Sequence, residues 1–392
     1  MKIDVKKLLN FLFILGTFAV VLVIAFSNNE LADAWETLFT LNFKWLGLAF
    51  LGWLVYVFFD SLSLHYFLIK QGYGIPLLYS IYISLIGFYY SDITPGAGGG
   101  QPMQVYYMSK KNVPVGVGSS VATIKVFSMQ LMVVLTGLVL LIINREAMAA
   151  QLGGVKWLII IGGIINFSAV PLILLVAFYR PPVQALLRFG VRIGAKIRLI
   201  KNPENVMLKA DAMLDTYHAS MKQVSKAPFQ IVVQLILMGL SMFGLLSIPV
   251  SVYYAFGLSG TPWHHILTIS YMVFWSASYT LLPGGSGMQE GGFLLYFQGI
   301  FTEGTIGLAL LVWRFVSFYL FLLLGPLITL LWDVAARRKK KKDKLAKEKE
   351  KEQAKETEKV PEKMPEQMTE PEKRETEEQE ERKEAEEGKE AE

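Results

Sequence analysis

Lys125 and Arg314 each stand inside a stretch of sequence that is otherwise apolar, and each follows a copy of the same short motif. The motif is Pro-Gly-x-x-Gly-x-Gln. It occurs at Pro95-Gly96-Ala97-Gly98-Gly99-Gly100-Gln101 and at Pro283-Gly284-Gly285-Ser286-Gly287-Met288-Gln289. Lys125 lies 24 residues after Gln101 and Arg314 lies 25 after Gln289, in the matching contexts Lys-x-x-Ser-x-x-Leu and Arg-x-x-Ser-x-x-Leu. A cation at the centre of a bilayer costs at least about 2.5–3.5 kcal/mol, so it faces a partner, a wet cavity or a substrate unless it reaches an interface. The partners on offer are Glu290, Asp92 and Asp60. A substrate carrying an anion is the functional alternative.

The other residues with chemical potential cluster around the two motifs. Gly99, Gly100, Gly284, Gly285 and Gly287 allow turns and a close approach of backbone to a ligand. Free N–H groups in such a turn, beside a helix start, suit an anionic headgroup; the competing reading is a tight connection for close helix packing. Pro95 and Pro283 mark the hinges. Gln101, Gln104 and Gln289 can hydrogen-bond phosphate or sugar oxygens, or pack between helices. Glu290 can neutralise Arg314, bind a cationic headgroup or exchange a proton. Asp92 stands where a span meets the first motif, as a ligand group or a cap. Asp60 has Ser61, Ser63 and His65 nearby, a polar group for a membrane span. His264 and His265 are adjacent and point apart on a helix, which suits interfacial anchoring better than metal binding.

Composition removes several classes of chemistry. The chain has no cysteine, so thiol catalysis and Cys-ligated metals are excluded. It contains no phosphate-binding P-loop, zinc-protease helix, serine elbow or dinucleotide fingerprint. No cofactor, no metal and no nucleic-acid partner is expected.

The elements that must hold these residues are membrane spans. The chain is 53% hydrophobic, yet residues 337–392 are almost devoid of apolar side chains. Residues 1–336 carry 20 Lys/Arg against 13 Asp/Glu, and the remainder 18 against 20. This divides the chain into an integral membrane domain, 1–336, and a charged cytoplasmic tail, 337–392, which is disordered or helix-prone and interrupted by Pro361, Pro365 and Pro371. Apolar runs predict about eight spans, at 8–26, 45–69, 75–91, 115–144, 155–179, 228–256, 264–282 and 305–333. The fold class is therefore an all-α polytopic membrane protein.

Charge at the span ends sets the expected orientation. Lys2, Lys6 and Lys7 place the N-terminus inside, the basic segment 180–226 stays inside, and Arg337–Lys342 keeps the C-terminus there too. This works if 92–111 and 283–304 also cross, as Gly/Pro-broken re-entrant segments running in opposite directions. Repeat windows at about 75–144 and 264–333 then form a short inverted repeat, a pointer to a transporter's central site. Within 180–226, Leu186, Leu187, Val191, Ile193 and Ile197 alternate with cations as in an interfacial helix. Asn202-Pro203 opens a second helix.

With these motifs in view, the chain resembles the membrane domain of the lysylphosphatidylglycerol synthase family, also called flippase-like. The resemblance covers about 8–335. It rests on Thr94-Pro95-Gly96-x-x-Gly99-Gly100-Gln101-Pro102-x-Gln104, on Leu282-Pro283-Gly284-Gly285-Ser286-Gly287-Met288-Gln289-Glu290, and on Arg314. It implies movement of aminoacylated phosphatidylglycerol between leaflets, with a separate soluble domain performing the aminoacyl transfer. The tail after Asp333 is too biased in composition to be that domain.

The expected function is translocation of a phospholipid, an aminoacyl-phosphatidylglycerol or a glycolipid, in a bacterial plasma membrane. The expected partners are membrane lipids, anionic or aminoacylated, with a second copy of the chain or a separate lipid-modifying enzyme as further candidates. A lipid-modifying enzyme of the phosphatidylglycerol lysyltransferase type, and a scaffold recruiting partners by its tail, are the alternatives.

Overall fold

The computed structural model describes residues 31–332 except Leu199, Ser278, Tyr279 and Glu303, and in addition Gly16, Ala19, Val23, Val334 and Leu345. Save for Gly16, Ala19 and Val23 the expected first span lies outside the described residues, as does the charged tail save for Leu345. So does almost all of the second of the chain's two units, Leu331–Glu392; the helices that carry the motifs belong to the first, Met1–Leu330.

Among the described residues the regular structure is helical, with no β-strand. In chain order come α1 Leu31–Thr40, α2 Phe43–Lys70, α3 Leu77–Asp92, α4 Gly100–Ser109, α5 Val115–Ile143, α6 Arg145–Leu152 and α7 Lys156–Phe178. These are followed by α8 Arg180–Lys196, α9 Pro203–Ser225, α10 Pro228–Leu246, α11 Ile248–Ala255, α12 Trp263–Ala277, α13 Met288–Tyr296 and α14 Ile306–Arg314. Helix α14 runs on through a π-helical turn, Phe315–Tyr319, to Trp332.

Among the described residues, five helical stretches are long and apolar enough to cross a membrane: Phe43–Lys70, Val115–Ile143, Gly153–Phe178, Pro228–Ala255 and Ile306–Trp332. Two of the expected spans are helices not counted among these five. The stretch 75–91 appears as α3, of 16 residues, and 264–282 as α12, of 15. At 1.5 Å per residue each extends about 24 Å, short of a ~30 Å hydrocarbon core. Each is the first half of a broken pair, α3 with α4 and α12 with α13, joined through the Pro-Gly motifs.

Capping explains two of the boundaries. Lys44 N donates to the Asn42 side chain at 3.0 Å to start α2. Asn205 N donates to Asn202 at 3.3 Å, with Pro203 in the first turn of α9, as the sequence predicts. Helix α8 presents Leu186, Phe189 and Ile193 outward, and Arg180 ties its start to Asp215 of α9 at 2.6 Å.

Lipid supplies no hydrophobic force between spans, so close packing and interhelical hydrogen bonds hold them. Gln234 of α10 donates to Ser63 of α2 at 2.6 Å, and Ser241 to the Tyr56 carbonyl at 2.9 Å. Gln130 of α5 donates to the Asn166 side chain at 2.8 Å, and Asn166 of α7 to the Trp275 carbonyl at 3.0 Å. The apolar core gathers Trp53 and Val57 of α2 with Val252, Ile266, Met272, Phe293 and Trp313. Helices α2 and α10 meet backbone to backbone. A Cβ on Gly52 would lie 2.8 Å from the Gly244 carbonyl oxygen, and one on Gly244 2.7 Å from that of Gly52.

That contact yields a test. Gly244→Ala must push two backbones apart, and is expected to cost about 1–3 kcal/mol, read as a lowered unfolding midpoint of the detergent-solubilised protein. Gly47→Ala on the same helix α2 meets nothing within 4 Å and should leave the midpoint unchanged.

Candidate functional site

Both Pro-Gly motifs fold into the same turn. Pro95 and Pro283 each open a 3-10 turn whose second residue is left-handed, Gly96 at φ 59° and Gly284 at φ 61°. The third residues follow, Ala97 at φ 55° and Gly285 at φ 69°. The copies diverge afterwards: Gly99 is right-handed at φ −85°, whereas Gly287 is at φ 84°. The two turns touch, and Gly96 N donates to the Leu281 carbonyl at 3.1 Å.

Most of the N–H groups expected to be free are not. Ala97, Gly98, Gly285 and Ser286 close short turns, Gly99 donates to Thr94 Oγ1 at 2.8 Å, and Gly287 donates to Glu290 Oε2 at 2.6 Å. Gly99 and Gly100 serve the other reading, close packing. A Cβ on Gly99 would sit 2.6 Å from Thr94 Cγ2, and one on Gly100 would run into Ser91.

Each cation has found a carboxylate. Lys125 Nζ lies 2.8 Å from Asp60 Oδ2, and donates to Gln104 Oε1 at 3.4 Å. Arg314 donates through Nε to Glu290 Oε1 at 2.6 Å, with Nη2 also 2.6 Å from that oxygen. Its Nη1 reaches Gln289 Oε1 at 2.8 Å and Nη2 the Gly284 carbonyl at 3.2 Å. All four charged residues are buried, Arg314 to 2% exposure. Lysine has three donors and arginine five, so each cation keeps one N–H that these contacts do not use.

Glu290 has a double duty. One oxygen receives Arg314, and the other accepts the N–H of Gly287, the residue that caps α13, which is the half of a capping box that a glycine can make. Its charge therefore also sits at a helix N-terminus, where a carboxylate is favoured. The π-helical turn directly after Arg314 brings Phe318 against the guanidinium, 4.6 Å from the ring centroid. A Cβ on Gly284 would collide with that ring. The left-handed turn, the π turn and the buried arginine form one packed unit.

A cavity of 570 Å³ lies between the motifs. Lys125, Arg314, Gln101, Gln104, Gln289, Asp92, Gly100, Gly284 and Gly285 line it, as the sequence reading expects of ligand groups. Gly99, Gly287, Pro95, Pro283 and Glu290 do not; Glu290 stands behind Arg314 and cannot touch a ligand there without rearrangement. The sequence reading left Tyr56, Phe88 and Gln130 unremarked, and all three line the cavity. Gln130 could have been found, since it lies five residues beyond Lys125 on the same helix. Leu172 and Leu282 line the cavity and are also 60% and 44% exposed, so the cavity reaches the outer surface between α7 and the second motif.

His264 does not join this site. Its Nδ1 lies 2.6 Å from Asn144 Oδ1, and Asn144 donates to Thr268 at 2.8 Å. Among the described residues no group of three His, Asp or Glu could hold a metal.

A family model described as lysylphosphatidylglycerol synthase TM region matches residues 8–325. No curated protein and no solved structure matches the chain.

The buried pairs make a double-mutant test. Glu290→Gln strips Arg314 of its counter-charge and is expected to cost about 3–5 kcal/mol. Glu290→Leu combined with Arg314→Met removes both charges and should recover most of that loss, read from denaturant unfolding of the purified protein. A double variant as unstable as the single one would mean that the ion pair is not what holds the two segments together.

Proposed function

The chain belongs to the lysylphosphatidylglycerol synthase TM-region family, multi-pass membrane proteins whose function concerns membrane lipids, and on that premise we propose that it carries a phospholipid headgroup across the bilayer. The observation that carries this reading is a largely apolar cavity, studded with Lys125, Arg314, Asp60, Asp92 and glutamines, where two broken helices meet among apolar spans. Irregular backbone at membrane depth is tolerated where it is buried in protein or lines a wet cavity; Gly96, Ala97, Gly284 and Gly285 of the two turns line this one.

In this reading the headgroup phosphate meets the remaining N–H of Lys125 and of Arg314. Gln101, Gln104 and Gln289 supply neutral hydrogen bonds to the glycerol or its substituent. Asp60 and Glu290 hold the cations in place and cancel their charge, so the resting cavity is not a trap for every anion. The acyl chains stay in lipid, leaving past Leu172 and Leu282. The two motif segments form an inverted repeat about this point, in a bacterial plasma membrane, with both termini cytoplasmic.

Reconstitution tests the proposal. Purified protein in liposomes is expected to move fluorescent phosphatidylglycerol between leaflets, assayed by quenching from outside. Lys125→Met removes a charge-assisted contact worth about 1.5–3 kcal/mol, which corresponds to roughly a ten- to hundredfold slower rate. Wild-type liposomes that quench no faster than protein-free ones, with phosphatidylglycerol and with aminoacylated or glycosylated lipids alike, would sink the idea.

A further inference from the structure

Two cations and two carboxylates line the cavity, and a third carboxylate, Glu290, stands directly behind Arg314. The pairs Lys125–Asp60 and Arg314–Glu290 use both cations and two of the acids. Asp92 is left over. It forms the last turn of α3, where the helix runs into the first motif, and it lines the cavity. Its Oδ2 is buried and meets no hydrogen-bond donor among the described residues. The charged and titratable groups arranged around the cavity are Asp60 and Tyr56 on α2, Lys125 on α5, Glu290 on α13, and Arg314 and Tyr319 on the last helix. None of them forms an ion pair with Asp92 within 4.0 Å.

A lone carboxylate in such a place is costly, and intramembrane acids without partners are characteristic of ion and proton pathways. We infer that Asp92 is the cavity's proton-binding site, and that a proton is taken up there together with an anionic lipid headgroup. The inference rests on the lipid-carrier reading of the same cavity. A proton suits the position better than a metal ion, because among the described residues no group of three His, Asp or Glu could hold a metal.

The step balances simply. A proton from the aqueous side of loading binds an Asp92 oxygen, leaving two carboxylates against two cations around the cavity. The carboxyl group has then become an O–H donor. An anionic headgroup enters a site with no surplus negative charge and receives that donor. On the opposite side headgroup and proton leave together, and the surplus carboxylate returns. With Asp92 ionised, the same headgroup would meet a surplus negative charge, three carboxylates against two cations, in a low-dielectric site. The proton therefore acts as a co-substrate that sets the order of events.

Two measurements on the full-length protein test this. The first is infrared difference spectroscopy of the protein in phosphatidylcholine nanodiscs, between acidic and alkaline buffer, which needs no transport. Over the signal of the other Asp and Glu residues, a distinct protonated-carboxyl component is expected in the wild type, lost in Asp92→Asn and displaced in Asp92→Glu. The Glu variant keeps the test alive if the Asn variant fails to fold. The second is movement of labelled phosphatidylglycerol in proteoliposomes under an imposed pH gradient. The wild type should be driven by the gradient, and Asp92→Asn should lose that dependence. An identical carboxyl band in wild type and Asp92→Asn overturns the inference. So does lipid movement that follows a sodium gradient and ignores pH. A band that belongs to Asp92, with no lipid moved under any gradient, supports the proton site and overturns the carrier reading instead.

Discussion

Two cations buried among apolar helices impose the constraint that shapes everything around them. A guanidinium at 2% exposure is almost cut off from bulk water, so protein must provide most of its partners. Arg314 gathers a carboxylate, an amide oxygen and a main-chain carbonyl, all from the second motif and the residue after it. That set requires the chain to stop being helical near Gly284, because a helix would direct its carbonyl along its own axis. The broken helix is thus the shape that a chain must take to solvate a charge with little water. Lys125 solves the same problem more economically, with Asp60 from a neighbouring span and Gln104 from the half-helix that follows the first motif.

The two halves are therefore alike in backbone and unlike in side chains. Residues two and three of each motif adopt the same left-handed pair of conformations. The acid that neutralises the cation comes from within the motif segment in the second half and from a separate helix in the first. At the position after the last motif Gln, one half has Glu290 and the other Pro102. This difference makes the cavity asymmetric in charge although the turns that frame it match, and it is the reason one acid near the first motif is left without a cation.

Much of this was legible in the residues. The motif repeats, the cations that follow it and the helical class all stand in the chain, since hydropathy and Gly/Pro content are local signals. The full list of spans was less so: 75–91 and 264–282 are apolar enough to read as crossings, yet their helices stop at Asp92 and Ala277, before the Pro-Gly turns, and fall short of a hydrocarbon core. Pairing was the least legible. Asp60 is 65 residues from Lys125 in sequence, and a long-range contact leaves no mark on local spacing. Ala97 at φ 55° is another example, because alanine does not announce a left-handed conformation and the glycines around it draw the eye to Gly99 and Gly100. Glu290 as a cap could have been read, since Gly287-x-x-Glu290 has the spacing of a capping box.

The hydrogen bond from Gly96 to Leu281 joins the main chains of the two turns themselves. Side chains can swing through tens of degrees while a backbone link between two rigid turns holds its place. Any rocking of one half against the other that preserves this bond has its fulcrum there, with the smallest displacement beside the cavity and the largest at the far ends of α3 and α12. Mechanical advantage then runs from the helix ends toward the turns: a wide excursion of the far ends becomes a fine adjustment around the buried charges.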